Sequence, residues 1–444
     1  MTKAWKIVWA LATALVAGQS ALAQPETPPD NIVPAVGRAR AISAPQMPSD
    51  DPTPFAPSPF LSREFAPDLP SRFPEYAPPP NSGAPPMPEA PVGPRRILPY
   101  VDVEIGYALV MYKKQATSFP TLTLGNASDP IPGAAGSPDT FWLFNRPGGN
   151  ESPLNGGRAR IVTWLPDLEA LSLEVVATIP EPQTLSVVTL SGNYPGQAIS
   201  RPFFNPNSGV HEAFPVAVPN IFSSVSTDAF KTRFYGGEAN VRWNYVNNIS
   251  GILGFRYLRV DESYYNQDNI TSLIDGSVSV FKDNFTTLNR FAGPQIGILY
   301  NTGKGLVEFD FFGKCALGVN RQTATISGLT VFTDPLTGAQ FVDPTKGTYA
   351  QPTNIGEYRK SNISAVPEVG VNLRLAVGPR CKVAISYSAL WFTNMIRPGD
   401  QMDYIVNPQA LAGTVTPPLF PTPPTFRHTE FWMQTVSFGL EYLF

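Results

Sequence analysis

The stretch Gly305-Leu306-Val307-Glu308-Phe309-Asp310-Phe311-Phe312-Gly313-Lys314-Cys315-Ala316-Leu317-Gly318-Val319 decides the fold. Its odd positions are apolar or glycine throughout, whereas its even positions include Glu308, Asp310 and Lys314. Successive side chains of a strand point to opposite faces, so period two means a strand with one greasy face and one charged face. In a soluble sandwich the greasy face turns inward onto a second sheet. In a membrane barrel it turns outward to lipid, and the charged face lines the lumen.

The pattern recurs along the chain. Val101, Val103, Ile105, Tyr107, Leu109 and Met111 share a face opposite Asp102 and Glu104. Leu171, Leu173, Val175 and Ile179 oppose Glu174; Tyr235, Ala239, Val241 and Trp243 oppose Glu238, Asn240 and Arg242; Leu253, Phe255 and Tyr257 oppose Arg256. Val369, Val371, Leu373 and Leu375 oppose Glu368, Asn372 and Arg374, and Val383, Ile385, Tyr387 and Trp391 oppose Lys382, Ser386 and Ser388. Short links near 165–170, 246–248, 301–304 and 378–380 alternate with long links at 113–156, 181–229, 261–284, 320–359 and 395–428. Short turns at one end and long loops at the other are the habit of up-and-down membrane barrels. Two strands per long loop predict an all-β, antiparallel transmembrane barrel over 100–444, with about 10 strands and a range of 8–12. The extra strand, if any, is 141–145.

The final segment sets the environment. Val436, Phe438, Leu440, Tyr442 and Phe444 share one face, with Thr435, Ser437, Gly439 and Glu441 on the other. Such an ending looks like that of bacterial outer-membrane barrels, whose assembly machinery reads this strand as its signal. That machinery and outer-membrane lipid are the partners it implies. Trp164, Trp243, Trp391 and Trp432 are candidates for the interfacial aromatic girdles.

The start of the chain reads as an address followed by a tether. Lys3 and Lys6 precede an apolar run from Ile7 to Ala17, and Ala21-Leu22-Ala23 is a small-x-small cleavage site, so 1–23 reads as a signal peptide for export. Of the 49 prolines, 22 fall within residues 24–99. Proline fixes φ and removes a donor, so this arm reads as disordered and polyproline-like. It is expected to be a periplasmic tether, either a passive spacer or one whose aromatics contact peptidoglycan or a periplasmic protein.

Composition excludes several classes. Charged residues make up 15% of the 444 residues, against ~25% in a typical soluble domain. The net charge of −3 argues against nucleic acid, which requires a basic surface. Two histidines and two cysteines leave little for metal or triad chemistry. His211-Glu212 lacks the second histidine of a zincin, and no Gly-x-Ser-x-Gly elbow occurs. Asp261-Glu262 and Asp268-Asn269 lack an EF-hand pattern. Neither catalytic residues nor a cofactor nor a metal is predicted, and the chain is read as a non-enzyme. Cys315 and Cys381 are expected on the lipid face near opposite rims, too far apart to pair.

The charges fall on the inward register. Asp102, Glu104, Glu174, Glu238, Glu308, Asp310, Glu368, Glu430 and Glu441 are the predicted lumen acids, and Arg158, Arg160, Arg242, Arg256, Lys314, Arg374 and Lys382 the predicted lumen bases. About 8 strands leave room only for side chains, and a buried charge must be paired. A bridged, narrow lumen follows, and with it a structural or interaction role at the cell surface. The alternative is a porin for small solutes, its pore lined by the same groups.

Several runs carry a resemblance. They are Gly236-Gly237-Glu238-Ala239-Asn240-Val241-Arg242, Gly254-Phe255-Arg256-Tyr257-Leu258, Asn289-Arg290-Phe291 with Gln295-Ile296-Gly297, Lys314-Cys315-Ala316-Leu317-Gly318 with Ile326-Ser327-Gly328, Pro367-Glu368-Val369, and Asn394-Met395-Ile396-Arg397-Pro398-Gly399-Asp400-Gln401-Met402-Asp403. Together they resemble the planctomycete outer-membrane β-barrel family, the seventh numbered porin-like family, long labelled a domain of unknown function. The likeness spans roughly 100–444 and implies a barrel with no established catalytic residues. Cys315 stands where valine is expected, and the first strand lacks a paired tryptophan. Pro398-Gly399 signals a turn, and Arg397 is placed to pair with Asp400 or Asp403 and pin the loop over the barrel mouth.

Overall fold

The computed structural model describes residues 101–144, 153–165, 168–246, 248–303, 305–411 and 417–444. The segments read as a signal peptide, 1–23, and as a proline-rich arm, 24–99, lie outside the described residues. The strands are β1 (Val101–Tyr112), β2 (Leu122–Asn126), β3 (Phe141–Phe144), β4 (Leu154–Leu165), β5 (Leu168–Pro180), β6 (Gln183–Leu190), β7 (Gln197–Asn205), β8 (Val210–Ala217), β9 (Phe222–Val246), β10 (Ile249–Ser272), β11 (Val278–Thr302), β12 (Val307–Thr333), β13 (Gln340–Asp343), β14 (Gly356–Ala376), β15 (Cys381–Ile396) and β16 (His428–Leu443).

Ten of these strands pair antiparallel in a ring. Its order is β1, β4, β5, β9, β10, β11, β12, β14, β15 and β16, and β16 lies against β1. Period-two alternation fixes the register, because a one-residue slip would turn every charge to the wrong side. Asp102 and Glu104 are buried on the inner face of β1, while Ile105 and Tyr107 are exposed on the outer one.

The predicted long links differ from what forms. β9, β10, β11 and β12 run for 24 to 27 residues. The expected loop at 261–284 is therefore mostly ladder, since β10 continues to Ser272 and β11 starts at Val278. Likewise β12 continues to Thr333 and pairs there with β13. Beyond the apolar belt the outer faces of these strands are polar, so the hydropathy alternation fades while the backbone pairing persists. Of the candidate 141–145 segment, Phe141–Phe144 form a strand and residue 145 lies outside the described residues, but β3 joins β2, β7 and β8 in a separate four-stranded sheet. That sheet folds inside the extended wall. Leu122, Leu124, Ile199 and Phe203 from it share one buried cluster with Phe230, Tyr264, Phe285 and Ile326 of the wall.

The inner face of β10 states the layering. From the short-turn end it presents Arg256, then Leu258 and Val260, then Glu262, Tyr264, Asn266 and Asp268, and finally Ile270. Charges lie lowest. An apolar layer follows, in which Phe234, Leu258, Phe291, Leu390, Phe392, Phe431 and Met433 pack across the lumen. Phe291 meets Phe392 edge to face with centroids 5.6 Å apart, a favoured aromatic geometry. Above it comes the polar and then apolar interior of the cap. Phe291→Ala should open a cavity in this apolar layer. It is expected to cost about 3–5 kcal/mol in reversible unfolding in micelles, against a loss near zero for outward Leu288→Ala.

Candidate functional site

The lumen floor is built from side chains of nine strands. Arg160 on β4 donates to Glu174 at 2.7 Å and lies 3.7 Å from Glu104 and 3.6 Å from Glu441. Arg158 reaches Glu104 at 3.4 Å, and Arg242 reaches Glu174 at 3.4 Å. Arg374 links Asp310 at 2.5 Å to Glu441 at 2.8 Å, and Lys382 holds Glu308 at 2.8 Å. Across the middle, Arg256 bonds both Glu238 and Glu368, and Lys314 does the same. Arg256–Glu238 and Lys314–Glu368 are neighbours in the ladder, whereas Arg256–Glu368 and Lys314–Glu238 each skip two strands of the ring and so tie the lumen across as well as along the wall. Among the described residues Asp102 has no ion-pair partner, and its Oδ1 lacks a hydrogen bond. Glu430 departs from the predicted register. It shares the outward face of β16 with Trp432 and is exposed, because even positions of that strand point away from Glu441.

Very little space remains. The cavity among Arg158, Glu238, Arg256, Lys314 and Glu368 is about 60 Å³. The cavity below it, against Arg160, Glu174, Arg242 and Asp310, is about 20 Å³. A single water needs roughly 10–15 Å³ on this measure, so these voids hold a few waters and no solute.

The cap is fastened by a second set of buried charges. Arg201 on β7 is fully buried; its Nε and Nη2 donate to Asp268 at 2.9 and 2.8 Å, and its Nη1 donates to Asp228 at 2.8 Å and to the Thr121 carbonyl at 2.9 Å. Tyr264 donates to the same Asp228 oxygen at 2.5 Å. Burial works against the Arg201 charge, and Asp228 and Asp268 more than offset it, holding the guanidinium firmly protonated. The backbone N–H groups of Tyr349 and Ala350 each donate to Asp283 at 3.0 Å. Burial pushes that carboxyl up to about 6, with the two donors working in the other direction.

Arg397 pins a loop, but with a different partner from those predicted. Its Nε and Nη2 donate to Glu262 at 2.9 and 2.7 Å, and its Nη1 to the Lys114 carbonyl at 2.7 Å. Asp400 and Asp403 do not take that role. Asp403 instead accepts from the Ile405 and Thr422 N–H groups at 3.0 and 2.8 Å, and Asp400 donates its N–H to the Arg397 carbonyl. Glu262 wins because the extended β10 turns it into the barrel mouth, where a bidentate geometry is available. Gly399 fits this turn for lack of room, since a Cβ there would stand 1.9 Å from the Ala116 carbonyl oxygen.

The remaining predicted residues are easily placed. Phe438, Leu440, Tyr442 and Phe444 are exposed on the outer face of the last strand, with Val436 half-buried there. Trp391 and Trp432 stand directly opposite each other on the outer face, whereas Trp164 falls on the inward register of β4. Cys315 and Cys381 are free, and Cys315 lies within the apolar belt rather than at its rim. Asp261 points out to Arg259 and Asp268 points in to Arg201, so the two acidic pairs do not converge on a cation.

The family model for "Putative beta barrel porin-7" matches residues 105–444. The chain belongs to this family. No curated protein matches it. Among solved structures it is similar to the outer membrane protease OmpT from Escherichia coli, at 11% identity over 78% of this chain and 97% of that one, with a TM-score of 0.35. It is also similar to a Pseudomonas aeruginosa FadL homologue, at 10% identity over 78% and 90%, with a TM-score of 0.22. In this beta barrel porin-7 member the charged floor and the Arg201 and Arg397 clamps stand at opposite ends of one interior. Arg201, Asp228 and Asp283 were missed in the sequence, and Glu262 and Asp268 were weighed only as cation ligands, because each lies in a stretch read as a loop.

Removing Arg201 tests the cap clamp. Arg201→Ala leaves Asp228 and Asp268 buried without a cation, a loss of about 3–5 kcal/mol for a buried pair. Faster hydrogen exchange is expected across β2, β7 and β8, with β14 to β16 unchanged. Uniform loosening of the ring would show instead that the clamp supports the whole barrel.

Proposed function

We propose that this chain spans the bacterial outer membrane as a barrel closed to solutes, and that it works as a structural or interaction element at the cell surface. The observation that carries this reading is the filled lumen. A bridged charge floor and a largely apolar layer lie in series, and the floor cavities reach only about 60 and 20 Å³. The outer face supports the membrane part. On β12 the outward residues from Val307 to Val319 are apolar or glycine, apart from Cys315. At ~3.3 Å per residue and a tilt of ~40°, that belt stands on the order of 30 Å tall, near the thickness of a hydrocarbon core. Trp243, Tyr245 and Tyr300 border it at the short-turn end, and Trp391, Trp432 and Tyr257 at the other, all exposed. Aromatic girdles of this kind fit two lipid–water interfaces.

In the same reading the short turns face the periplasm. Residues 1–23 direct export, residues 24–99 form a periplasmic tether to peptidoglycan or a periplasmic protein, and the capped end faces outward. The barrel-assembly machinery inserts the chain through its last strand. No catalytic step, cofactor or metal belongs to this proposal.

Planar bilayers provide the direct test. Purified protein is expected to insert without steady single-channel steps, and regular steps from the wild-type barrel would replace this reading with that of a porin. Topology is checked with added protease. Cleavage within 24–99 is expected only after the outer membrane is opened, and cleavage in intact cells would reverse the orientation.

A further inference from the structure

One charged feature lies outside the lumen and the cap. Immediately above the apolar belt, the outer faces of β10, β11 and β12 carry Arg259, Arg290 and Arg321. Arg290 stands directly opposite Arg259 on one side and directly opposite Arg321 on the other. Arg359 on β14 lies one step further on, opposite Thr323. Like charges directly opposite across a ladder destabilise the pair, so a row of three requires an answer.

The chain supplies only part of that answer. Asp261 pairs with Arg259 at 2.8 Å, and Glu357 pairs with Arg359. Arg290 and Arg321 are exposed and have no ion-pair or hydrogen-bond partner among the described residues. A concavity of about 770 Å³ runs over them along the outer wall. The residues directly beneath are Tyr257, Ala292, Val319 and Ile363, each opposite the next in the same register and continuous with the belt. At the same level on the far wall, the positions beyond Trp391 and Trp432 are Thr393 and Glu430, and the Lys113 ammonium beside them already donates to Thr429 at 3.1 Å and to the Glu430 carbonyl at 2.8 Å.

We propose that Arg290 and Arg321 bind the phosphate of an acylated lipid in the outer leaflet. Neighbouring strands lie ~4.8 Å apart, so two guanidinium forks can close on one phosphate, each with paired N–H donors. The apolar row beneath gives the acyl chains a surface, which distinguishes a lipid from a free anion. This inference rests on the membrane-spanning reading above.

The test compares wild type with R290Q/R321Q. Native mass spectrometry is performed on protein released from micelles containing equal phosphatidic acid and phosphatidylcholine. Wild type is expected to retain phosphatidic acid at least tenfold over phosphatidylcholine, and R290Q/R321Q to fall to near parity. R380Q, at the short-turn end, is expected to keep the preference. Thermal unfolding adds a readout that a purely structural role would not give. In phosphatidylcholine alone R290Q/R321Q should melt no lower than wild type, because a repulsion is relieved, and in phosphatidic acid it should melt lower. An unchanged lipid preference in R290Q/R321Q overturns the proposal, as does complete displacement of phosphatidic acid by equimolar inorganic phosphate. Flotation of both proteins with liposomes separates the two readings. A chain that does not float sinks the membrane assignment, whereas one that floats with an unaltered preference sinks this site alone.

Discussion

A charge turned into this barrel must find its partner inside the barrel. Period-two alternation sends every second residue of ten strands inward, and the ring leaves too little space for water to solvate what arrives. Arg256 and Lys314 therefore each lie between Glu238 and Glu368, which come from strands on either side of them in the ring. Removing any one of the four would leave an uncompensated ion, which is far more costly than the pair is stabilising. The pairs thus contribute less to net stability than to the fixing of one arrangement: most acids hold the base of a neighbouring strand, and Glu238 and Glu368 also reach bases further round the ring. The narrow floor, and the apolar layer resting on it, follow from that requirement.

The same requirement is met again in the cap. The wall from β9 to β12 rises well past the belt, and a tall sheet without a packed inner face would expose an unsupported surface. The four-stranded sheet and the 347–354 segment fill it. They are held by apolar packing around Phe230, Tyr264 and Tyr349 and oriented by Arg201 and Arg397. Apolar contacts alone allow many registers, whereas a bidentate guanidinium on a buried carboxylate allows few. The wall extension and the cap are consequently one construction, each providing the burial that the other needs.

Legibility in the sequence follows the contrast between the two faces. Where the outer face is apolar and the inner one charged, as from Val307 to Val319, each residue announces its side, and the ring, its approximate strand number and the inward charges could be read there, Glu430 beyond the belt being misassigned. Above the belt that contrast is lost. Asp261, Ser263, Tyr265 and Gln267 face outward while Glu262, Tyr264, Asn266 and Asp268 face the cap, so both faces of β10 are polar and the strand resembles a loop. The clamps were hidden for this reason. Arg397 was marked by its turn, yet its partner could not be found, because Glu262 is brought to it only by the strand extension.

The inner and outer faces also exchange character at a definite row. Below it β10 shows Phe255 and Tyr257 outward and Arg256 inward; above it Leu258 and Val260 are inward and Arg259 outward. β11 passes from outward Ile296 and inward Gln295 to inward Phe291 and outward Arg290. β12 passes from outward Val319 and inward Lys314 to outward Arg321 and inward Ala324. Parity never slips along these strands, so the exchange is not a bulge. It records a change in what surrounds the wall. Inside, the filling turns from ion pairs to aromatic rings; outside, the surface turns from apolar to cationic at the same height on three adjacent strands. Inner charges are neutralised by the chain itself because nothing else can reach them. The outer arginines stand where an external anion can reach them, and this difference in access accounts for why the floor's bases are all paired while Arg290 and Arg321 are not.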